Sequence, residues 1–471
     1  MNVDPMQYGR RDFLRRMGGG FGSVALAHLL SGEAEASGIL SGGLHHAPRA
    51  RRVIQLFMNG GVSPMDTFDR KPELTRLHGQ KLGPKERPEG QTGDCGALMK
   101  SPFEFAQHGQ CGRWVSSVFP HMATIVDDLA FLMAMTSKTN VHGPGSYMMN
   151  TGFVLPGFPC MGAWISYGLG ASCDDLPSFI VLPDPRGLPY NNLGNFSAGF
   201  LPVANQGVVI KATAPTPVHD LAPPSTAGWI TDASEAATRV LLEKMNREHA
   251  SRDESDSRLE GRIAAYELAA RMQLSVPALF DLGQESEVTK ALYGLDEKTT
   301  EEFGRRCLLA RRMLERGVRF VQVWSGPAGA SGNWDNHADV SKELPAIASM
   351  VDRPIAGLLA DLKSRGMLED TLVVFSTEFG RQPFSQGTLG RDHNGGTFVT
   401  WLAGAGLKPG MSHGESDEWG WKARTPIYCY DLHATVLHLL GIDHERLTVR
   451  HNGIDRRLTD VHGEVIREIL A

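Results

Sequence analysis

The sequence predicts one large α/β domain, in which helices cover both faces of a mainly parallel sheet. Short apolar runs, typical of buried strands, alternate with amphipathic helical segments, as in βαβ units. The chain has 471 residues, 41% hydrophobic and 21% charged, which excludes a mainly disordered chain or a fibre. Its 53 glycines and 27 prolines indicate many turns and long loops rather than a helical bundle.

Six strands are predicted, and a turn signal follows most of them. The first spans 53–57 and stops at Asn59-Gly60-Gly61, which indicates a buried strand that runs into a glycine-rich loop. The other strands are expected at 130–135, 179–182, 319–324, 371–377 and 398–402.

Helical patterns separate the strands. Charged amphipathic helices are predicted at 234–252, 256–274 and 300–316. A long helix at 341–365 is expected to be interrupted by Pro354 and to stop at Gly366. The last helix, 431–440, is opened by Asp431 and closed by Gly441. Residues 184–300 have the composition of an insertion, first rich in Pro, Gly and Asn and then helical.

The N-terminus has the features of an export signal rather than of the fold. Arg10-Arg11 with Phe13-Leu14 precedes an uncharged stretch at 17–31, and Ala34-Glu35-Ala36 provides a cleavage site. This pattern predicts a twin-arginine signal at 1–36, a linker at 37–50 and a domain at 51–471. The alternative is a basic amphipathic first helix. We expect export to the periplasm or beyond, without a transmembrane span, since no later segment has 18 uninterrupted apolar residues.

Charge and cysteine content exclude several classes of protein. Lys+Arg 47 against Asp+Glu 53 gives a net charge of −6 without a basic stripe, so no nucleic-acid partner is expected. The 6 cysteines form no C-x-x-C pair, which argues against a zinc ribbon or a thioredoxin motif. Cys95 and Cys111 could form a bridge outside the cytoplasm, or the cysteines could be buried thiols.

Polar residues collect beside the predicted strands. The candidates are Asn59 after the first strand, His142 after the second, Asp335 and His337 after the fourth, Glu378 and Arg381 after the fifth, and Arg391, Asp392 and His393 just before the sixth. Because carboxyl ends of parallel strands share one edge of a sheet, these side chains could converge there. Carboxylates and imidazoles together predict a divalent metal site, with Zn, Mn or Ca as candidates.

Each candidate also has a purely structural interpretation. Asp335 and His337 could form a hydrogen-bonded pair in a loop, and Asp392 with His393 could stabilise a turn. Glu378 could pair with a nearby arginine, and Asn59 could cap a turn. His142 could be an exposed loop imidazole.

The motifs of the chain strongly resemble those of an exported, sulfatase-like family catalogued as domain of unknown function 1501. The resemblance runs over nearly the whole chain and is carried by 59–61 with 65–69, 332–337, 377–381 and 390–394. It implies the fold of the alkaline phosphatase and sulfatase superfamily, a three-layer sandwich around a mainly parallel sheet. It also implies a possible hydrolase role.

Compared with sulfatases, the segment 142–152 is similar to the one that carries their nucleophile. His142 then stands at the nucleophile position, and Ser146 stands in place of an arginine. The resemblance further implies that Asn59 replaces an aspartate ligand and that Glu378-Phe379 replaces an Asp-His pair. Residues similar to the ligands of the other metal position are Asp335, His337 and His393.

A histidine at the nucleophile position cannot imitate the formylglycine of sulfatases. His142 could form a phosphoryl adduct, act as a general base on water or bind the metal. Ser63 or Ser146 could take the nucleophile role instead. Arg381 and Arg391 could hold an anionic substrate group in bidentate fashion.

Three functional hypotheses follow. The first is an exported metal-dependent hydrolase of phosphate or sulfate esters, with sulfated or phosphorylated glycans among the candidate substrates. The second is a non-catalytic member of the same fold that binds a metal or an anionic glycan. The third is a scaffold partner of exported cytochrome-containing proteins.

Overall fold

The computed structural model describes residues 38–40, 43–83, 95–212 and 277–471, with scattered positions between 231 and 272. The predicted export signal at 1–36 lies outside the described residues. So do the predicted helices at 234–252 and 256–274, apart from single positions.

The strands of the described residues are, in chain order, β1 (Arg52–Met58), β2 (Phe105–His108), β3 (Arg113–Ser116), β4 (Leu129–Thr136), β5 (Phe179–Leu182), β6 (Val208–Val209), β7 (Phe320–Ser325), β8 (Thr371–Ser376), β9 (Gly380–Arg381), β10 (His393–Asn394), β11 (Phe398–Ala403), β12 (Ser412–His413), β13 (Ile427–Tyr428), β14 (Val449–His451) and β15 (Ile454–Arg456). The α-helices are α1 (Pro72–Arg76), α2 (His142–Thr151), α3 (Met161–Leu169), α4 (Glu287–Leu292), α5 (Glu301–Glu315), α6 (Val340–Ser364) and α7 (Cys429–Leu439).

A nine-stranded sheet forms the centre of the described fold, in the order β12-β4-β11-β8-β1-β7-β5-β6, with β13 also paired to β4. β1 pairs in parallel with both β7 and β8, and β5 pairs in parallel with β6 and β7. Only β11 is antiparallel to its neighbours, β4 and β8. The predicted α/β class with a mainly parallel central sheet is therefore confirmed.

Helices cover both faces of this sheet. On one face, α5 and α6 pack against Ile54 and Leu56 of β1. On the other face, α2, α3 and α7 pack against Val53 and Phe57. Alternate residues of one strand thus enter two separate cores, which explains why β1 is apolar almost throughout.

Each of the six predicted strands matches an observed strand, with ends shifted by at most one or two residues. The sixth strand, β11, runs antiparallel to its neighbours, a direction that the prediction of a mainly parallel sheet did not specify. This reversal matters for the site. A residue just before a parallel strand would lie at the opposite edge, whereas His393, just before β11, lies at the edge where β1, β4, β7 and β8 end.

Two predicted helix details need correction. α6 continues through Pro354, where an interruption was expected, and also contains Pro345. Pro354 is itself buried, and close packing of the buried Val351 and Ile355 offsets the missing backbone hydrogen bond. α7 starts at Cys429, two residues before Asp431, whose carboxylate instead accepts a hydrogen bond from Tyr428 N (2.8 Å).

Cys95 and Cys111 are not joined by a disulfide. The Cys95 thiol donates to Gln382 Oε1 (3.0 Å), and Cys111 is exposed beside His108. Among the described residues, no helix is both long enough and apolar enough to cross a bilayer.

Candidate metal centre

Four side chains meet at the edge where the parallel strands end. His142 is the first residue of α2, Asp335 and His337 lie in the loop after β7, and His393 begins β10. One possible ligand atom from each residue lies within 4.8 Å of the others.

Asp335 Oδ1 lies at the centre of this cluster. It is 2.7 Å from His337 Nε2, 3.1 Å from His393 Nε2 and 3.2 Å from His142 Nε2. The side chains of His142, Asp335 and His393 are at most 9% exposed, whereas that of His337 is 28% exposed. The cluster is therefore buried on most sides and reaches solvent beside His337.

The second nitrogen of every imidazole is held from outside the cluster. His142 Nδ1–H donates to Glu378 Oε1 (2.7 Å), and His393 Nδ1–H donates to the Asn140 carbonyl (2.8 Å). His337 Nδ1–H donates to Gln386 Oε1. These contacts place the proton on Nδ1 and leave each Nε2 lone pair directed inward. Metal-binding histidines are oriented in this way in proteins.

The positions of these ligand atoms suit a bound divalent cation better than direct contact of the atoms with one another. His337 Nε2 and His393 Nε2 lie 2.8 Å apart, so two lone pairs face each other when both protons are on Nδ1. His142 Nε2 is buried without a hydrogen-bond partner among the described residues. Donors of a tetrahedral ion with ~2.1 Å bonds lie ~3.4 Å apart, so small shifts would admit an ion. Three nitrogens and one oxygen suit Zn²⁺ or Mn²⁺, whereas Ca²⁺ takes oxygen ligands.

The charge states of Asp335 and His393 agree with this fit. Burial alone would raise the pKa of Asp335, but the contacts with the three imidazoles and the charge of Arg381 hold it far below its usual range. Burial lowers the pKa of His393 to about 4. At neutral pH the cluster therefore contains an ionised carboxylate and a neutral imidazole at 393.

A short ribbon brings two of the sequence motifs together. β9 and β10 pair antiparallel, with His393 opposite Arg381 and Asn394 opposite Gly380. The segment 377–381, which follows β8, and the segment 390–394, which precedes β11, therefore lie side by side. This pairing explains how His393 reaches the loop that carries Asp335.

Two glycines permit the close approach of these loops. A Cβ at Gly390 would lie 1.6 Å from the carbonyl oxygen of His337. Gly60 has a φ of +125°, and a Cβ there would lie 2.7 Å from Asp335 N. Larger residues at these positions would push the loop of Asp335 and His337 away from its neighbours.

The two arginines predicted to bind substrate are fully buried and contact protein oxygens. Arg381 donates to the carbonyls of Gly60, Gly61 (2.9 Å) and Arg391 (3.2 Å), and to Asp335 Oδ1. Arg391 pairs with Asp66 (2.6 Å) and donates to backbone carbonyls. Both guanidinium groups therefore stabilise the loops around the cluster, and their geometry offers no support for contact with a substrate anion.

Three residues predicted as ligands lie around the cluster and do not supply its central atoms. Glu378 accepts from Gly60 N (2.8 Å) as well as from His142, so it orients that ring. Asp392 accepts from the backbone N–H of His393 (2.8 Å). Asn59 donates to the carbonyls of Gly326 and Pro327, both at 3.1 Å, and so ties the end of β1 to the loop after β7.

The two serines considered as nucleophiles are fully buried and engaged elsewhere. Ser63 Oγ donates to Asp66 Oδ2 (2.6 Å), and Ser146 Oγ donates to Asn195 Oδ1 (2.8 Å). The geometry gives neither hydroxyl the role of an activated nucleophile.

Two aromatic residues contact His142, and neither contact was predicted from the sequence. The ring of Tyr190 stacks on His142, with centroids 4.5 Å apart and planes within 5°. Phe379 contacts the same imidazole from another direction, at 4.9 Å. Phe379 lies inside the motif 377–381 and was named there only as part of the pair Glu378-Phe379. Tyr190 lies in a loop rich in Pro and Asn and carries no comparable signal.

The family described as "Protein of unknown function (DUF1501)" matches residues 50–470. No curated protein sequence matches the chain.

Similar solved structures share little sequence with this chain. A lipoteichoic acid synthase from Listeria monocytogenes is 10% identical over 93% of this chain and 79% of its own, with a TM-score of 0.37. A sulfatase from Pseudoalteromonas sp. is 12% identical over 84% and 68%, with a TM-score of 0.34. An alkaline phosphatase from the Antarctic bacterium TAB5 is 9% identical over 84% and 98%, with a TM-score of 0.32.

The family resemblance inferred from the motifs is thus confirmed over nearly the whole of the described fold. The chain belongs to the DUF1501 family.

Proposed function

We propose that this protein is an exported, metal-dependent hydrolase of phosphate or sulfate esters. The observation that carries the proposal is the cluster of His142, Asp335, His337 and His393, whose possible ligand atoms all lie within 4.8 Å. Buried imidazoles oriented by outer hydrogen bonds around one carboxylate are typical of catalytic metal sites.

Three of the four residues would hold the ion. Asp335, His337 and His393 present Oδ1 and two Nε2 atoms within 3.1 Å of one another. A bound Zn²⁺ or Mn²⁺ would polarise the ester oxygen and lower the pKa of a water molecule. Three protein ligands leave a position for substrate and water, as in hydrolytic zinc sites.

His142 and Glu378 would supply the general base. His142 Nε2 faces the cluster without a hydrogen bond, so it can accept a proton from the attacking water. Glu378 Oε1 holds the Nδ1 proton at 2.7 Å and favours the imidazolium that results. Tyr190 and Phe379 keep the ring in place and limit the access of bulk water.

The substrate class rests on the family resemblance and on the chemistry of the cluster. A divalent cation beside a neutral His393 offers positive charge to an anionic ester, including sulfated or phosphorylated glycans. The cation would itself balance the substrate charge, because Arg381 and Arg391 are engaged with protein oxygens.

Hydrolysis of aryl phosphates and aryl sulfates tests the proposal. The full chain, loaded with Zn²⁺ or Mn²⁺, should hydrolyse at least one of these esters. The Asp335→Asn variant should lose that activity together with the bound ion. The absence of turnover on both ester classes in a fully metal-loaded protein would contradict the hydrolase assignment.

A second function is favoured by one observation. Four donors converge rather than three, and four protein ligands are typical of closed, structural metal sites. With both candidate serines buried, the protein would then bind a metal or an anionic glycan without turnover. Metal binding that requires His142 would support this function.

Two further parts of the proposal concern location and partners. Export by the twin-arginine route is supported by the sequence at 10–36. An exported cytochrome-containing partner stays a prediction from the family resemblance. Co-purification of a haem protein with the exported chain would support it, and a chain that purifies alone from the periplasm would contradict it.

A further inference from the structure

The helix that carries His142 has little intrinsic stability. α2 has 10 residues, fewer than the ~12–15 that an isolated helix needs in water. Its glycines, serine, asparagine and threonine are poor helix formers. Contacts with the rest of the fold therefore decide where α2 lies, and with it the position of its first residue, His142.

A buried chain of side-chain hydrogen bonds joins α2 to the central sheet. Asn150 Nδ2 donates to the Ser146 carbonyl (2.8 Å), so Asn150 turns its Oδ1 toward the sheet. That oxygen accepts a hydrogen bond from Gln322 Nε2 of β7 (2.7 Å). The same Nε2 donates to Gln55 Oε1 of β1 (2.9 Å), and Gln55 Nε2 donates to Ser376 Oγ of β8 (3.0 Å). The four linked side chains are at most 2% exposed.

This chain connects the two elements whose ends meet at the metal centre. Ser376 is the last residue of β8, and Glu378 follows it by two positions. His142 begins α2, about 12 Å along the helix from Asn150. Glu378 Oε1 accepts a hydrogen bond from His142 Nδ1 (2.7 Å). A shift or rotation of α2 relative to the sheet would therefore change this contact.

The polar chain is not explained by stability. Gln322 Oε1 is buried without a hydrogen-bond partner among the described residues, which costs free energy. On either side of it in β7, Phe320 and Trp324 pack in the apolar core on the same face. An apolar side chain at 322 would avoid the cost, but it would not supply the directional contact that fixes one position of α2.

Other contacts keep α2 folded at its two ends. His433 Nε2 of α7 donates to the Met149 carbonyl (2.9 Å), and Asn191 Nδ2 donates to the Gly143 carbonyl (2.6 Å). Loss of the contact between Gln322 and Asn150 should therefore displace α2 rather than unfold it.

We propose that Gln322, acting through Asn150, is a positioning residue for His142. It holds α2 at the place on the sheet where the imidazole meets Glu378. The consequence for the reaction rate rests on the proposed function, in which His142 is the general base. The geometric consequence does not, because the contact of His142 with Glu378 is observable without a substrate.

Hydrogen exchange of the His142 Nδ1 proton tests the proposal. In the full chain with isotope-labelled histidine and Zn²⁺ present, this proton should give a slowly exchanging signal in nuclear magnetic resonance spectra, identified by its loss in His142→Gln. Gln322→Met keeps the length of the side chain but removes its donor. The Nδ1 proton should then exchange at least about tenfold faster, because the contact with Glu378 opens more often.

Asn150→Ala removes the same hydrogen bond from the helix side. Because alanine is the better helix former, a role in helix stability predicts unchanged exchange, whereas positioning predicts the same acceleration as in Gln322→Met. The matched control is Val321→Ala, the neighbouring residue of β7, which is buried in the core on the opposite face of the sheet. It weakens packing of the same strand and should leave the exchange rate unchanged. Circular dichroism confirms that each variant is folded.

The outcomes separate this proposal from the proposed function. If the protein hydrolyses an aryl ester, Gln322→Met should lower kcat about tenfold with KM unchanged, because the base is displaced and the ligands of the ion are not. A wild type without hydrolysis would contradict the proposed function and leave the exchange test valid. Wild-type exchange in both Gln322→Met and Asn150→Ala would overturn the positioning role, and so would the absence of a slowly exchanging His142 signal in the wild type.

Discussion

Replacement of His142 by alanine separates the two roles open to this residue. The imidazole contacts Glu378 through Nδ1 and faces Asp335 with Nε2, 3.2 Å from Oδ1. If the ring is a general base, His142→Ala removes proton transfer but leaves three ligands for the ion. If it is a ligand, the variant loses metal.

The expected effect on the rate is large. A positioned general base contributes about 10²- to 10⁴-fold, or roughly 3–5 kcal/mol of barrier. We therefore expect kcat on an active ester to fall by about that factor, with KM little changed. The deleted ring also leaves a ring-shaped space between Tyr190 and Phe379, next to the Glu378 carboxylate. Added imidazole can enter this space and should restore part of the rate.

The assay combines steady-state hydrolysis, imidazole rescue and elemental analysis of the same preparation. Retained metal, a lower kcat and rescue by imidazole are the predicted outcome. A Tyr190→Phe variant, which keeps the stacked ring but loses the hydroxyl bonded to Gly329 O, serves as the control with near-normal kcat. Loss of the ion from His142→Ala would refute the base role and favour a closed, non-catalytic site.

Three other outcomes are expected. Burial lowers the pKa of His433 to about 4 from 6.5, so folding favours its neutral form and stability is lost as pH falls below 6.5. Because of this group, the free energy of unfolding in urea should be about 2 kcal/mol lower at about pH 5 than at pH 7. The His433→Gln variant should lack this pH dependence. Arg391→Met leaves the buried Asp66 unpaired and should cost about 3–5 kcal/mol in the same assay, and an unchanged midpoint would refute its structural role. Gly390→Ala must displace the His337 carbonyl and should therefore weaken metal binding by about 10- to 100-fold, measured in competition with a chelating dye. Unchanged affinity would contradict the conclusion that Gly390 permits the close approach of the loop that carries His337.

The sheet was predictable because its strands are buried on both faces. Runs such as 53–57 and 371–377 are buried along their whole length and mostly apolar, and glycine or a polar turn ends each run. Strand direction was not predictable from such runs, because an apolar hexamer looks the same in either direction. The antiparallel β11 therefore appeared only in the structure.

The site was predictable in part for a similar reason. Residues such as Asp335 and Glu378 follow parallel strands, so the topology alone brings them to one edge. Which atoms face inward depends on side-chain contacts across distant segments. Glu378 points at His142 rather than into the cluster, and Arg381 turns toward the carbonyls of Gly60 and Gly61. No local pattern encodes these choices.

The stacking of Tyr190 on His142 depends on the loop after β5. That loop is fixed by contacts such as Tyr190 Oη with Gly329 O (2.9 Å), between segments far apart in sequence. A single sequence contains no period or motif that predicts such a contact.

Metal content of the purified, folded protein tests the central claim most directly. Elemental analysis should find one divalent ion per chain, Zn or Mn, and the Asp335→Ala, His337→Ala variant should lose it. A variant with the same substitutions outside the cluster, at the partly buried His451 (His451→Ala) and the exposed Asp455 (Asp455→Ala), should retain it. Equal metal in the Asp335 and His337 variant and in the wild type would contradict the ligand assignment, and so would a metal-free wild type under metal-replete conditions.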